Sequence, residues 1–296
     1  MVRGAIIDQK IIPGILICPL CRGDLREAGG KLWCGVPGHG PFSYDGEGRI
    51  LMTSPEVLEH FTKEHKKGVN RLKSFFKRYP RLYYLLWHIF CPIFFTGLRP
   101  GAVLSFFPKS ENPIVLNIGS GPKRIHPSII NIDVVPFDVV DVVADASSLP
   151  FKDESVDAVL SENMLEHVAD PHRAVSEMTR VLKRGGIMYA SIPFLTPYHA
   201  SPDDFVRFTK SGLRALFSDF ELIKEGVDAG PWSAFLVFLA YWLGTIFSFG
   251  SKKAAPFFGL AFMLILGPLK VFDIIFARLP GAHTVAAQLY FVGRKK

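Results

Sequence analysis

Val115-Leu116-Asn117-Ile118-Gly119-Ser120-Gly121 is the stretch on which the rest of the chain hangs, and Ile130-Asn131-Ile132-Asp133 follows at close range. A short apolar run ending in Gly-x-Gly reads as a buried parallel strand that turns tightly, so that backbone N–H groups face a ligand. The second run ends in one carboxylate, Asp133. An acid at the carboxyl end of a neighbouring strand can accept both hydroxyls of a ribose; a plain strand-end cap is the other reading. Glycines also serve many turns for positive φ alone, so the motif needs its neighbours.

Two further segments supply them, Val143-Ala144-Asp145-Ala146-Ser147-Ser148-Leu149-Pro150-Phe151 and Ser155-Val156-Asp157-Ala158-Val159-Leu160-Ser161. Four motifs in this order, over about residues 113–227, resemble the class I S-adenosylmethionine-dependent methyltransferases, in the branch with many small-molecule and lipid methyltransferases. The resemblance implies a Rossmann-like α/β sheet, parallel with a terminal antiparallel strand, and S-adenosylmethionine as cofactor. It places Gly119 and Gly121 against the amino-acid half of the cofactor and Asp133 at the ribose. Asp145 would take the adenine amino group, with the backbone N–H of Ala146 reaching the ring. The chain departs from the family in three places. Only seven residues, Pro122 and Pro127 among them, separate Gly121 from Ile129, where a full helix is usual. Asn117 stands where an acid is usual and Lys123 where a third glycine is usual, though the Asn117 carbonyl can still accept from an ammonium group.

Periodicity predicts strands at 114–118, 129–133, 140–144, 156–160, 186–192 and 219–225, and helices at 171–183 and 210–217. Alternation of this kind makes a largely parallel sheet covered on both faces. A last strand is expected at Ala286–Arg294, paired antiparallel. Between the final two strands lies an apolar insertion, 229–283, uncharged from Ala229 to Ser251 and again from Ala254 to Leu269, with Lys252-Lys253 between.

Residues 1–52 read as a small zinc-ribbon-like module, and 53–112 as a basic and aromatic helical linker before the domain at 113–296. Cys18-Pro19-Leu20-Cys21, then Cys34 and His39, have the spacing of a closed tetrahedral Cys3His site for structural zinc. A ribbon that has lost its metal and folds by packing is the alternative. The linker starts well, with Ser54 as cap and Pro55 at the first helical position. It carries a basic run from Lys63 to Arg78 and an aromatic run from Tyr79 to Phe90, which suit either packing on the main domain or an anionic bilayer.

The acceptor side is expected in Pro193–Thr209, a proline-broken loop after the fifth strand of the core, with His199 as general base, Asp203 or Asp204 as its orienting partner, and Arg207 nearby. An Asp204–Arg207 ion pair at a helix start, with a loop histidine, is the competing reading. After the fourth strand, Glu162 and His167 are candidates to line the pocket, His167 equally a structural histidine.

The chain has 296 residues, 49% of them apolar, with 26 phenylalanines and a net charge of +7. Its mean hydropathy is +0.24 and its pI about 9.2. The balance suits an anionic partner, membrane lipid or nucleic acid. Four cysteines are too few for a disulfide scaffold, and Met1–Asp8 does not read as a signal peptide, so the cytoplasmic face of a membrane is the expected place. Three functions compete: a methyltransferase for a lipid-like or lipid-linked acceptor, a ribosomal-RNA base methyltransferase using the ribbon for recognition, and a non-catalytic cofactor-binding membrane scaffold. The uncharged run at 229–251 favours the first, because RNA binding gives no reason for it. The insertion is expected to lie in one face of the bilayer without crossing, since Lys252-Lys253 would otherwise sit outside, and since the second arm, Ala254 to Leu269, is short of the roughly 20 residues a spanning helix needs.

Overall fold

The structure, a computed structural model, describes residues 14–68, 89–98, 100–106, 112–199 and 203–296. Most of the expected basic and aromatic linker, from 69 to 88, lies outside these residues. Among the described residues eleven strands form one sheet. In chain order they are β1 (Leu25–Ala28), β2 (Lys31–Cys34), β3 (Phe42–Tyr44), β4 (Ile50–Leu51), β5 (Val115–Ile118), β6 (Ile130–Asp133), β7 (Val142–Val143), β8 (Val156–Glu162), β9 (Leu182–Pro193), β10 (Phe220–Ala229) and β11 (Gln288–Lys295). Their spatial order is β1-β2-β3-β4-β7-β6-β5-β8-β9-β11-β10.

The centre, β7-β6-β5-β8-β9, is parallel. Its strands read as continuous apolar runs because both faces are buried. The final pair runs antiparallel as expected, β11 lying between β9 and β10. The expected helices form at α3 (Pro171–Val181) and α4 (Lys210–Leu216), each opened by a side-chain cap: Asp170 accepts from the Arg173 N–H and Thr209 from the Gly212 N–H. The first helix of the chain, α1 (Pro55–Gly68), begins where Ser54 caps the Val57 N–H.

The ribbon strands continue the main sheet. β4 pairs parallel with β7, through Ile50 N–H to the Asp141 carbonyl and Met52 N–H to that of Val143. Leu16, Cys18, Leu32, Phe42 and Met52 share one hydrophobic cluster with Ile118, Ile132 and Phe151. Arg22 extends from the ribbon to Glu177 on α3, whose carboxylate also takes Arg180 and the Leu149 N–H.

The crossover from β5 to β6 forms no helix, in line with its two prolines. The sheet face on that side carries Val115, Ile129, Leu160, Ile187 and Tyr189, with Ile125 of the crossover packed against them. That face is covered by Leu98, Val103 and Phe106, from a segment containing the short helix α2 (Pro100–Val103) and the turn after it.

The insertion is a helical pair, α5 (Pro231–Phe247) and α6 (Ala255–Leu266). The second arm is longer than the sequence implied. It runs on through a tighter turn (Gly267–Phe272) into α7 (Asp273–Phe276), giving 22 helical residues from 255 to 276 with mean hydropathy 2.0. By length and composition this run could cross a membrane. Its last part is tied back to the root of the first arm: buried Asp273 accepts from the Trp232 and Ser233 N–H groups at the start of α5, at 2.9 and 2.8 Å. Lys270 Nζ donates to the Cys91 carbonyl at 2.8 Å. Gly230 is required here, since a Cβ would meet the Asp273 carboxylate at 2.2 Å.

Asp273 thus acts as a cap delivered from forty residues away. Replacing it with Ala should cost about 1–3 kcal/mol, the cost of leaving buried N–H groups unpaired, and Asp273→Asn should recover part of that. Thermal or denaturant unfolding of the purified variants measures it; an unchanged midpoint in Asp273→Ala would show that the two arms are not held this way.

Candidate active site and metal-ligand clusters

All the parallel strands deliver their carboxyl ends to one edge of the sheet, the edge where ligands bind in open α/β folds. Gly119 and Gly121 adopt φ of +73° and +55°, the left-handed region that glycine tolerates. The turn is held from the next strand: the Ile132 carbonyl accepts from the Gly119 and Ser120 N–H groups, and Asp133 Oδ2 accepts from the Gly121 N–H at 2.8 Å. Asp133 Oδ1 accepts from the Val135 N–H at 2.9 Å. Asp133 therefore serves as the strand-end cap that was its alternative reading. An ionised carboxylate offers about four lone-pair positions, so two such bonds leave room for a diol. Burial raises its carboxyl above the usual range, against those backbone bonds.

Asn117 is placed differently from the expectation of a free acceptor. It is buried, and its amide donates to Asn131 Oδ1 at 3.2 Å, inside the sheet between β5 and β6. Asp145 lies exposed at the end of β7, Oδ1 accepting from the Ser147 N–H at 2.8 Å, beside the half-buried Ala146. Glu162 ends β8 with Oε2 at 3.5 Å from Lys123 Nζ. Lys123, which replaces the usual third glycine, thus reaches across to the fourth-strand acid.

Lys123 and Glu162 line a cavity of about 190 Å³ with Asn163, Ser191, Asp228, Phe95, Gly97 and Leu98. Asp228 was not singled out in the sequence. It is buried at the end of β10, takes a hydrogen bond from the Ser191 hydroxyl, and has its carboxyl pushed up to about 6 by burial. Its sequence neighbourhood, Gly226-Val227-Asp228-Ala229, resembles any strand end, and only the fold brings it to Ser191.

In the loop after β9, His199 and Arg207 meet around Asp204, so the Asp204–Arg207 ion pair of the competing reading forms with His199 beside it. Asp204 accepts from the His199 backbone N–H at 2.8 Å and is ion-paired by Arg207, whose guanidinium holds its carboxyl down at about 2. Asp204 Oδ2 lies 3.5 Å from His199 Nδ1, which also faces the Pro197 carbonyl and the Arg207 guanidinium, each at 3.3 Å. Asp203 contributes its backbone: its carbonyl accepts from His167 Nδ1 at 2.5 Å. Asp204 is the carboxylate that orients His199.

The carboxylate facing the outer nitrogens of both histidines is Glu166, which sequence reasoning passed over. It is fully buried, Oε1 lying 3.7 Å from His167 Nε2 and 3.8 Å from His199 Nε2. It raises His199 above the ordinary imidazole range, against some desolvation. The signal was the dipeptide Glu166-His167 directly after a core strand.

In the ribbon, Cys18, Cys21, Cys34 and His39 bring four ligand atoms within 4.8 Å of one another. Cys21 Sγ and Cys34 Sγ are 3.4 Å apart, and Cys18 Sγ is 3.9 Å from His39 Nδ1. Burial pushes the Cys18 thiol up to about 11, whereas His39 beside Cys21 brings that thiol down to about 6. Three sulfurs and one imidazole nitrogen so arranged suit a structural zinc ion. If they hold one, the full chain should carry about one zinc sulfur-ligated in this cluster. Cys21→Ser should release it, and a cobalt-substituted protein should lose its thiolate charge-transfer bands. Zinc and bands retained in Cys21→Ser would place the ion on other ligands.

Comparison with known proteins bears on the core. A family model described as a methyltransferase domain matches residues 124–190. An uncharacterised methyltransferase of Mycobacterium sp. (strain JLS) is 52% identical over 50 residues, 17% of this chain and 20% of that protein. The demethylmenaquinone methyltransferase of Clavibacter sepedonicus is 34% identical over 97 residues, 30% of this chain and 40% of that protein. The matched stretches thus span well under half of these relatives. Among solved structures, the phosphoethanolamine N-methyltransferase 2 of Haemonchus contortus superposes with a TM-score of 0.44 at 16% identity, over 77% of this chain and 61% of that one. With the strand order, the glycine turn and the acid-ended second strand in place, the chain carries a Rossmann-like sheet, and its residues 124–190 match a methyltransferase domain.

Proposed function

We propose that this chain transfers a methyl group from S-adenosylmethionine to a lipid-like or lipid-linked small molecule at the cytoplasmic face of a membrane. The observation that carries the membrane part is the α5–α6 hairpin and its position. It leaves the sheet at Gly230, one residue after β10 and two after Asp228, and the Phe94 N–H donates to Ser233 Oγ at 2.9 Å near its start. The cavity lined by Phe95, Gly97 and Asp228 therefore lies directly beside the root of the hairpin. Its far end exposes large apolar groups to solvent, Phe249 at 92%, Phe257 at 69% and Trp242 at 62% among them. A contiguous apolar surface of this kind is the usual mark of a membrane or protein contact.

The hairpin lies in one leaflet and does not cross. Both ends return to the same sheet, and the second arm carries Asp273 bonded to the first turn of α5 and Lys270 bonded to the Cys91 carbonyl, which holds that end of the run at the root of the hairpin. Lys252 and Lys253 at the tip suit anionic headgroups. A relative named for demethylmenaquinone supports an acceptor with an apolar tail.

The cofactor lies over the glycine turn, its ribose on Asp133 and its adenine at Asp145 and Ala146, with Glu162 and the amide-bearing Asn117 strand behind it. When bound it supplies the electrophilic methyl. The protein's part is alignment and exclusion of water. His199, held by Asp204 and Arg207, faces the acceptor. Zinc in the ribbon is structural.

Two measurements test this reading. Calorimetry with S-adenosylmethionine should show binding to the wild-type chain, weakened by about 1–3 kcal/mol in Asp133→Ala; equal affinity would mean that the ribose site lies elsewhere. Flotation with vesicles of anionic phospholipid should carry the protein upward, and Trp242→Glu with Phe249→Glu should reduce binding at least tenfold, about 1.4 kcal/mol, without changing cofactor affinity. A chain that remains in the aqueous fraction without detergent would remove the membrane part, and co-purifying RNA would favour the nucleic-acid alternative.

A further inference from the structure

We propose that Glu166, His167 and His199 form a second metal site, for one divalent first-row ion bound through nitrogen and oxygen. Three observations carry it. First, the Glu166 side chain is 0% exposed, and among the described residues neither of its carboxylate oxygens has a hydrogen-bond partner. A bare buried carboxylate is costly, and it persists where a cation or proton compensates it. Second, both imidazoles turn Nε2 toward that carboxylate, and the three ligand atoms lie within 4.8 Å of one another. The nitrogen–oxygen separations, 3.7 and 3.8 Å, are too long for hydrogen bonds. They exceed by only a few tenths of an ångström the spacing of roughly 3.4 Å between two ligands each about 2.1 Å from a tetrahedral ion.

Third, the opposite ring nitrogens face the partners that set a ligating tautomer. His167 Nδ1 bonds the Asp203 carbonyl at 2.5 Å, and His199 Nδ1 faces the Pro197 carbonyl at 3.3 Å and Asp204 at 3.5 Å, with the Arg207 guanidinium, itself ion-paired to Asp204, also at 3.3 Å. A backbone carbonyl or carboxylate on the outer nitrogen is the usual second shell of a metal-bound histidine. The two rings stand edge to face, with centroids 5.2 Å apart and an interplanar angle of 89°. One ion can therefore receive both lone pairs without the rings clashing.

Two imidazoles and one carboxylate form a hard-to-intermediate donor set without sulfur. It suits Mn²⁺, Fe²⁺ or Zn²⁺ and differs in kind from the three-thiolate ribbon. The His199 side chain is 40% exposed, so the cluster is open to solvent on that side. The ligand class they would take is an oxygen of the methyl acceptor, a hydroxyl or a ring oxygen. This last clause rests on the methyltransferase reading; the binding of the ion does not.

The test uses the full chain and Mn²⁺, which has little affinity for the thiolate cluster. Free Mn²⁺ is counted by electron paramagnetic resonance during titration, and pulsed spectra report nitrogen nuclei coupled to the bound ion. One Mn²⁺ per chain with imidazole nitrogen coupling is expected, with affinity falling more than about tenfold in Glu166→Gln and in His199→Ala. A second metal equivalent retained through purification and lost in both variants would support the site equally. Calorimetry with S-adenosylmethionine on the same samples reports that the fold is intact and keeps a failure of the metal site distinct from a failure of the cofactor site. Absence of nitrogen-coupled Mn²⁺ in the wild-type chain, or wild-type affinity in both variants, would overturn the proposal.

Discussion

Asp228 joins three parts of the chain that are distant in sequence. Its backbone carbonyl accepts from the Thr96 and Gly97 N–H groups, and its carboxyl accepts from the Ser191 hydroxyl. The approach is so close that only glycine fits at 97, where a Cβ would lie 2.4 Å from Asp228 Oδ1. The need for this contact begins at the other side of the sheet. A parallel sheet must bury both faces, and the short, proline-containing crossover from β5 to β6 forms no helix and brings Ile125 to its own. The segment around Leu98 and Val103 covers more of that face, and Asp228 anchors it where it enters the fold. The same segment thereby reaches the edge of the cavity.

Much of this was legible because the decisive residues are local. Continuous apolar runs gave β5, β6, β8 and β9 within a few residues, and proline with a polar cap gave the start of α1. The cysteine spacing gave a ligand set that the fold does bring together. What escaped depends on tertiary contacts. β9 begins at Leu182, earlier than its apolar run, because Leu182 pairs with Val156 across a bulge before the register resumes at Ile187 and Ala158. The second arm of the hairpin extends to Phe276 because Asp273 finds the open N–H groups of α5, and no periodicity encodes that. Ribbon strands joining the main sheet through two residues of β4 leave no trace in composition.

The site shows the same division. Gly119, Gly121, Asp133 and Asp145 stand in motifs, and motifs can be read. Glu166 and Asp228 matter through burial: one is a carboxylate without hydrogen bonds between two histidines, the other a carboxyl held up by desolvation. Burial is a property of the packed chain. A histidine such as His199 can be suspected from its loop, and so can Asp204 beside its Nδ1, but the carboxylate facing its Nε2 comes from the turn after β8.

Met164 connects the two halves of the site. Its side chain rests on Gly119, in the space a Cβ would fill at 2.2 Å, and Leu165–His167 continue directly from it as a tight helical turn. A glycine at 119 is thus required twice, by its positive φ and by this contact. The loop that carries Glu166 and His167 is in this way set by the cofactor turn rather than by the acceptor loop alone. Asn163 at its start has φ of +51°, and Gln288 from β11 donates to its side-chain oxygen at 2.9 Å, fixing the direction in which the loop leaves β8. Position at the sheet edge, and not sequence proximity, places the two histidines and their buried carboxylate within reach of whatever the glycine turn binds.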